Sequence, residues 1–495
     1  MSEQRGKDVM KIISRLLLAL LLLVAVMGAR TFFLLPAGEP VNLKEWAPNE
    51  GEVSRMAANL SKAITYKTIS WSVEQAPDPL AFSGFHSFLR ATYPGVHRVM
   101  ALETVSEYSL MYRWPGSGGD KKPIAFAAHM DVVPVPSVGL KNWQHPPYAG
   151  VIDDAGILWG RGAMDDKGIL ISLMEAAEAL IKSGFVPDRD IYFLFGHDEE
   201  LGGDRGAVQM AARLEAQGIE LAWLIDEGSA MAQGVIPGVQ SPVSLISLGE
   251  KGSVSLIFSA EDEGGHSSAP KPFTAASLAA KAGYLVTENP HPQVLDEHLE
   301  SFLFAVAPEM GFASRFAIAN LWATRTLLTK QLAGSPTVAA FMHTTTAFTM
   351  MKSGIKPNIL PQYGEAIVNY RIHPRDTVDG VVERARKIVA DDRVKITQLG
   401  GREATRMSYV DGEGYRLIAE TTRDVFGDIP VAPTLTVQGT DGRHYYGVAN
   451  DVYRYMPFVF RPDDLKRIHG TNESIGIRAL ARQVTFYKVL IQKAS

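Results

Sequence analysis

Ile124-Ala125-Phe126-Ala127-Ala128-His129-Met130-Asp131 is an apolar run that ends abruptly in side chains able to hold a metal. Its length and continuity predict a buried strand, which puts His129 and Asp131 where the chain leaves the sheet. The arrangement returns at Ile191-Tyr192-Phe193-Leu194-Phe195, which runs out into His197-Asp198-Glu199-Glu200, and at 221–225, which runs into Asp226-Glu227. Between the first two, Asp165-Asp166-Lys167-Gly168 opens a helix predicted over 169–181 and stopped by Gly184, and another helix is predicted over 207–216. Strand and helix in alternation predict an α/β sheet with helices on both faces. Ligand sites in such sheets lie beyond the carboxyl ends of the strands, where all these polar clusters fall.

Outward from that core, 495 residues exceed one ordinary domain. After about residue 249 the texture changes. Strands over 254–259, 366–372 and 394–397 and helices over 275–286 and 378–389 predict a smaller α+β unit inserted over 249–402, with a helical elaboration at 295–332 rich in Phe, Leu and Ala. The main domain is then expected over 37–248 and 403–495. Apolar content of 46% excludes a disordered chain, and a charge of -5 with no basic run beyond the first thirty residues excludes a nucleic-acid partner. With no cysteine, a metal must be held by His and carboxylates.

Residues 1–36 stand apart. Arg5, Lys7, Lys11 and Arg15 precede an apolar run over 16–29, the layout of an export signal. Residues 31–35 extend the run past Arg30, and no small-residue cleavage site follows, which favours a membrane anchor over a cleaved signal peptide. The body is then expected outside the cytoplasm, membrane-anchored or else secreted or periplasmic. A linker rich in Pro and Gly (Pro36, Gly38, Pro40, Pro48) leads into a helix over 53–64.

Two divalent ions held by His and carboxylates need a shared carboxylate, terminal ligands on each ion and a base beside the trapped water. Asp165, in a tight loop between Gly162 and Gly168, is the expected bridge, with His129 serving one ion and Glu200 the other. Glu199 adjoins Glu200 and in an extended chain would point to the opposite side, toward substrate, as general base and acid. Asp131 is two residues from His129, on its side if extended, and is expected to orient the imidazole.

The segments His129-Met130-Asp131-Val132-Val133-Pro134, 159–168 and 197–203 resemble the signatures of the co-catalytic zinc peptidases that include carboxypeptidase S, aminoacylase and bacterial glutamate carboxypeptidase. Residues 250–253, 265–270 and 468–473 look closest to the branch of carboxypeptidase S and the N-fatty-acyl-amino acid hydrolases. The resemblance implies a mixed catalytic sheet flanked by helices, a ferredoxin-like lid as the insert, and two zinc ions per subunit. It implies His129 and His469 as ligands on different zincs, Asp165 as the bridge and Glu200 as a ligand on the second ion, with a fifth ligand from either Asp226 or Glu227. It further implies that His266 acts from the lid, its own or a second subunit's, on the oxyanion, which leaves room for a homodimer. Asn358 and Arg371 resemble lid residues that contact substrate. Gly439, Thr440 and Arg443 match a substrate loop, with Gln438 where a second Gly is usual.

The expected function is hydrolysis of an amide or peptide bond beside a free α-carboxylate, through attack by a hydroxide held between the metals. Peptides and N-acyl amino acids compete as substrates, the second class suiting an N-fatty-acyl-amino acid hydrolase or synthase. A membrane-anchored binding protein on the same fold would lack Glu199 or a metal ligand, and every one of these is present.

Overall fold

Every residue of the strands Ile124–His129 and Ile191–Gly196 is buried, as in a sheet covered on both faces. In the computed structural model, which describes residues 2–39, 41 and 43–495, the two pair in parallel with His129 opposite Gly196. Pro40 of the expected linker lies outside the described residues. They belong to an eight-stranded mixed sheet with the order Ala101–Val105, Ser109–Trp114, Ile191–Gly196, Ile124–His129, Leu221–Ala232, Ala449–Phe460, Val243–Glu250, Val431–Thr436. The four central strands run parallel, so their carboxyl ends share one edge.

Alternate residues of one strand serve opposite faces. Phe126 joins the core beneath helices Glu50–Ile64, Lys167–Lys182, Glu413–Phe426 and Ile477–Ala494, whereas Ala125 and Ala127 join the core beneath Ala207–Ala216. Helix Lys167–Lys182 starts directly behind the Asp165 loop because residue 168 is glycine: a Cβ there would collide with the Ala163 carbonyl.

Two features depart from expectation. The third strand does not end at residue 225 but continues as Leu221–Ala232, so Asp226 and Glu227 lie inside a strand. Strands Val431–Thr436 and Ala449–Phe460 were not expected from their sequences, which carry Pro433, Asp451, Arg454 and Pro457. Val431–Thr436 tolerates proline because it is the edge strand, and Arg454 is tolerated because it meets a buried carboxylate.

A second, four-stranded antiparallel sheet has the order Thr345–Ser353, Tyr363–Ile372, Gly252–Glu261, Lys395–Arg402. With helices Ala275–Glu288 and Val378–Val389 it encloses a core of its own, and its chain order is β-α-β-β-α-β. Helices Glu297–Val306, Phe312–Ala319 and Leu321–Ala333 interrupt it and form another small core. The chain begins with a helix, Ser2–Leu34, and within it Met10–Leu34 is long and apolar enough to cross a membrane.

Candidate active site

The carboxyl edge of the main sheet gathers four side chains around one carboxylate. Asp165 Oδ1 lies 3.0 Å from His129 Nε2 and its Oδ2 lies 3.0 Å from His469 Nε2, so one carboxylate faces two imidazoles. Each imidazole has a second carboxylate: Glu227 Oε1 is 3.7 Å from His129 Nε2, and Glu200 Oε2 is 3.0 Å from His469 Nε2. The set divides into His129, Asp165, Glu227 and His469, Asp165, Glu200. Asp166 is also drawn in, accepting the His129 amide at 3.1 Å.

Strand geometry separates Asp226 from Glu227. Neighbours within a strand point to opposite faces, and Glu227 is the one turned to His129. Asp226 faces the other way, accepting the Gly442 amide at 2.5 Å.

Asp131 orients this cluster. The His129 Nδ1 atom sits 3.0 Å from the Asp131 carbonyl and 3.3 Å from its carboxylate, which fixes Nε2 toward Asp165. The same carboxylate accepts the Ser70 hydroxyl and the amides of Glu199 and Glu200. Glu199 and Glu200 therefore do not sit in an extended chain as expected. They start a 3₁₀ turn, Glu199–Leu201, pinned by Asp131, and still diverge: Glu200 faces His469, while Glu199 lies 4.0 Å from the Arg443 guanidinium. Burial pushes the Glu199 carboxyl well above the usual range, with Glu227 and Asp441 adding to the effect. His197 of the same segment turns away, its Nδ1 2.7 Å from the Ser109 hydroxyl.

Glu473 was not foreseen. Fully buried, it pairs with Arg161 at 2.6 Å and accepts the amides of Gly162, Met164 and Asp165. It braces the Asp165 loop from the segment that carries His469. A solitary Glu in a loop gives no sequence signal for this role. His469 itself has φ +58°, an uncommon backbone state for a non-glycine residue.

Beside the cluster opens a cavity of about 610 Å³ whose wall includes Glu199, Glu200, His469, Arg371, Gly439 and Arg443. Lys251 and Arg402 line it too, and neither was singled out from sequence. The Arg371 side chain makes no hydrogen bond or ion pair among the described residues, and that of Arg402 makes one long donation to the Lys251 carbonyl at 3.5 Å. These cations repel one another. Burial and then Arg443 hold Arg402 below its ordinary value, and burial with Arg371 brings Lys251 down to about 8. Gly439 is bare because a Cβ would stand 2.6 Å from Arg402 Nη1 and 3.0 Å from Arg443 Nη1.

Other expected substrate contacts lie elsewhere. Thr440 is buried and gives its hydroxyl to Glu250 at 2.6 Å, so it shapes the loop instead of lining the cavity. His266 and Asn358 are exposed and close together at the far end of the second sheet, where the Ser267 amide donates to the Asn358 carbonyl at 3.2 Å. Neither lines the cavity.

The chain is similar to known proteins over most of its length. The family model for Peptidase family M20/M25/M40 matches residues 125–493. The chain is 37% identical over 442 residues to Probable carboxypeptidase S-like 2 of Dictyostelium discoideum, covering 88% of this chain and 84% of that one. It is 34% identical over 495 residues to N-fatty-acyl-amino acid synthase/hydrolase PM20D1 of Xenopus tropicalis, covering 98% and 95%. The fold is similar to that of the M20 family metallo-carboxypeptidase Sso-CP2 from Sulfolobus solfataricus, with a TM-score of 0.62 at 16% identity over 89% of this chain and 98% of that one. A family match that begins in strand Ile124–His129 and ends in the last helix takes in every residue of the five-membered cluster, and the chain belongs to Peptidase family M20/M25/M40.

Proposed function

We propose that this metallopeptidase-family enzyme is a two-zinc hydrolase that cuts an amide bond next to a free α-carboxylate. One arrangement carries the reading: Asp165 shared between His129 and His469, each with a further carboxylate, at the edge of a cavity where two guanidiniums have unengaged donors. Zinc suits these residues. Its bonds to N and O of about 2.0–2.1 Å give donor–donor edges of about 3.3 Å in a tetrahedron, against separations of 3.0 to 3.7 Å here. Burial also pushes Glu200 and Glu227 above the ordinary carboxyl range, and Glu200 Oε1 is buried with no partner among the described residues. A cation supplies what that donor set lacks.

When bound, zinc would polarise the scissile carbonyl and acidify water. His129, Asp165 and Glu227 would hold one ion and His469, Asp165 and Glu200 the other. Glu199 takes the proton from the attacking water and delivers it to the leaving nitrogen. Arg371 and Arg402 receive the substrate carboxylate and orient the amide. Asp131 keeps His129 in one tautomer throughout. His266 acts on the oxyanion from the lid of a second subunit, which accounts for its exposure in a single chain. Mixing inactive Glu199→Gln and His266→Ala subunits should then restore activity.

A second reading differs only on the acyl side: the substrate is an N-acyl amino acid with a long acyl chain. The extent of similarity to the Xenopus relative favours it. For location, we propose that Met10–Leu34 anchors the enzyme in a membrane with the body outside the cytoplasm. Turnover of blocked dipeptides and of N-acyl amino acids by zinc-loaded protein, with Glu199→Gln as control, tests the reaction and separates the two readings. Equal turnover of C-terminally amidated substrates would refute the carboxylate requirement.

A further inference from the structure

The apolar helix at the start of the chain is gripped at its foot. Arg30 Nε donates to the Ala319 carbonyl at 2.8 Å, Asn320 donates to the Met27 carbonyl and the Thr31 hydroxyl at 3.2 Å each, and Arg315 donates to the Leu35 carbonyl at 3.0 Å. Met27, Thr31 and Leu35 are buried by this docking, and Leu35 enters the small core formed by the helices of 297–333. Residues 10–26 stay exposed. Polar side chains thus lock the end of the helix to Phe312–Ala319 and to the turn at Asn320.

The helices that make this grip bear large apolar side chains that the small core does not use. Phe312 is 54% exposed, Trp322 64% and Leu327 72%, and at the foot itself Phe32 and Phe33 are 68% and 82% exposed. Arg315 lies over the Phe312 ring at 5.8 Å from its centre. Aromatic rings with arginine beside a hydrophobic span are the composition of the zone between lipid headgroups and acyl chains. Such side chains facing water would lose the stabilisation that burial gives.

We propose that helices Phe312–Ala319 and Leu321–Ala333 lie in the headgroup layer of the membrane, with Phe312, Trp322 and Leu327 reaching the acyl boundary. The inference rests on the reading of Met10–Leu34 as a span. Residues 10–26, the exposed part of the helix, are the stretch free to sit in lipid, so the residues gripping Met27 to Leu35 stand at the bilayer edge with lipid as the surface nearest to them. The enzyme is then held at two places, and its body cannot swivel freely about a single tether.

The absence of native cysteine makes the test direct, since any introduced cysteine is unique. Full-length Leu20→Cys, Trp322→Cys, Leu327→Cys and Ile355→Cys proteins, each bearing a nitroxide and each checked for retained activity, are reconstituted in phosphatidylcholine vesicles. Collision with oxygen is compared with collision with a water-soluble nickel chelate. Labels at 322 and 327 are expected to favour oxygen several-fold over the label at 355, a position 94% exposed on the second sheet's side of the molecule. Aqueous behaviour at 322 and 327 with a lipid signal at 20 overturns the proposal and leaves the span intact. Aqueous behaviour at 20, 322 and 327 refutes both. Shielding of 322 and 327 from both reagents would mean a second protein copy covers the face, and would also overturn it.

Discussion

Glu250 and Arg454 form an ion pair at 2.6 Å with both side chains shut away from solvent. The Glu250 carboxylate also takes the hydroxyl and amide of Thr440, so it joins three segments: strand Val243–Glu250, strand Ala449–Phe460 and the loop bearing Gly439 and Arg443. Removing one partner strands a buried charge, which typically costs about 3–5 kcal/mol. Glu250→Ala should lose that much stability in chemical denaturation, and adding Arg454→Met should recover part of it. Additive losses would show that the two side chains are not coupled.

Glu199 touches the cavity without approaching either imidazole as a partner. Glu199→Gln should lower kcat by about 10²–10⁴, the usual contribution of a general acid–base group, while zinc content and melting temperature stay unchanged. Loss of bound zinc along with activity would assign Glu199 to the metal set instead.

Glu227 and Asp226 are adjacent yet face opposite sides of one strand, which separates their roles. Glu227→Gln should reduce bound zinc from two ions per chain toward one, read by elemental analysis of dialysed protein. Asp226→Asn should keep both ions. The reverse pattern would reassign the fifth ligand.

Arg402 and Arg371 have donors to spare. Hydrogen bonds to charged groups contribute about 1.5–3 kcal/mol, so Arg402→Gln should raise KM roughly ten- to hundred-fold for substrates with a free carboxylate. Amidated analogues, already poor, should be unaffected. A uniform effect on both would mean Arg402 acts through loop structure.

In the insert, His291 and then the Thr344 hydroxyl, which donates at 2.5 Å, hold the Asp376 carboxyl down at about 2. An unfolded Asp titrates near pH 3.9, at about two units higher. The charged form is favoured by folding, so its stabilisation is present above about pH 4 and is lost as pH falls through about 2. The stability difference between the native chain and Asp376→Asn should therefore shrink across that window. A difference that persists below pH 2 would rule out this linkage.

What the sequence made readable follows a physical rule. His129 and Glu200 follow apolar runs and Asp165 sits in a glycine-bounded loop at a helix start, and such boundaries are visible in one dimension. The parity of Asp226 and Glu227 was hidden because it depends on the strand continuing to Ala232, through residues too polar to read as strand. The place of Arg402 in the cavity wall was hidden because it packs against a bare Gly439 more than thirty positions away. Thr440 was expected to contact substrate from its match to a substrate-loop pattern, and such a pattern does not say which way a hydroxyl turns. The grip on the first helix was equally invisible, being made by Arg30, Arg315 and Asn320 across almost three hundred positions.

The Glu473 brace has a consequence for the timing of synthesis. Its acceptors hold the amides of Gly162, Met164 and Asp165 from a segment more than three hundred positions later in the chain. A growing polypeptide that has already folded its first strands carries Asp165 in a loop without its Glu473 brace and with His469 not yet made. A nascent chain thereby lacks one side of this cluster until its tail has been made and folds back.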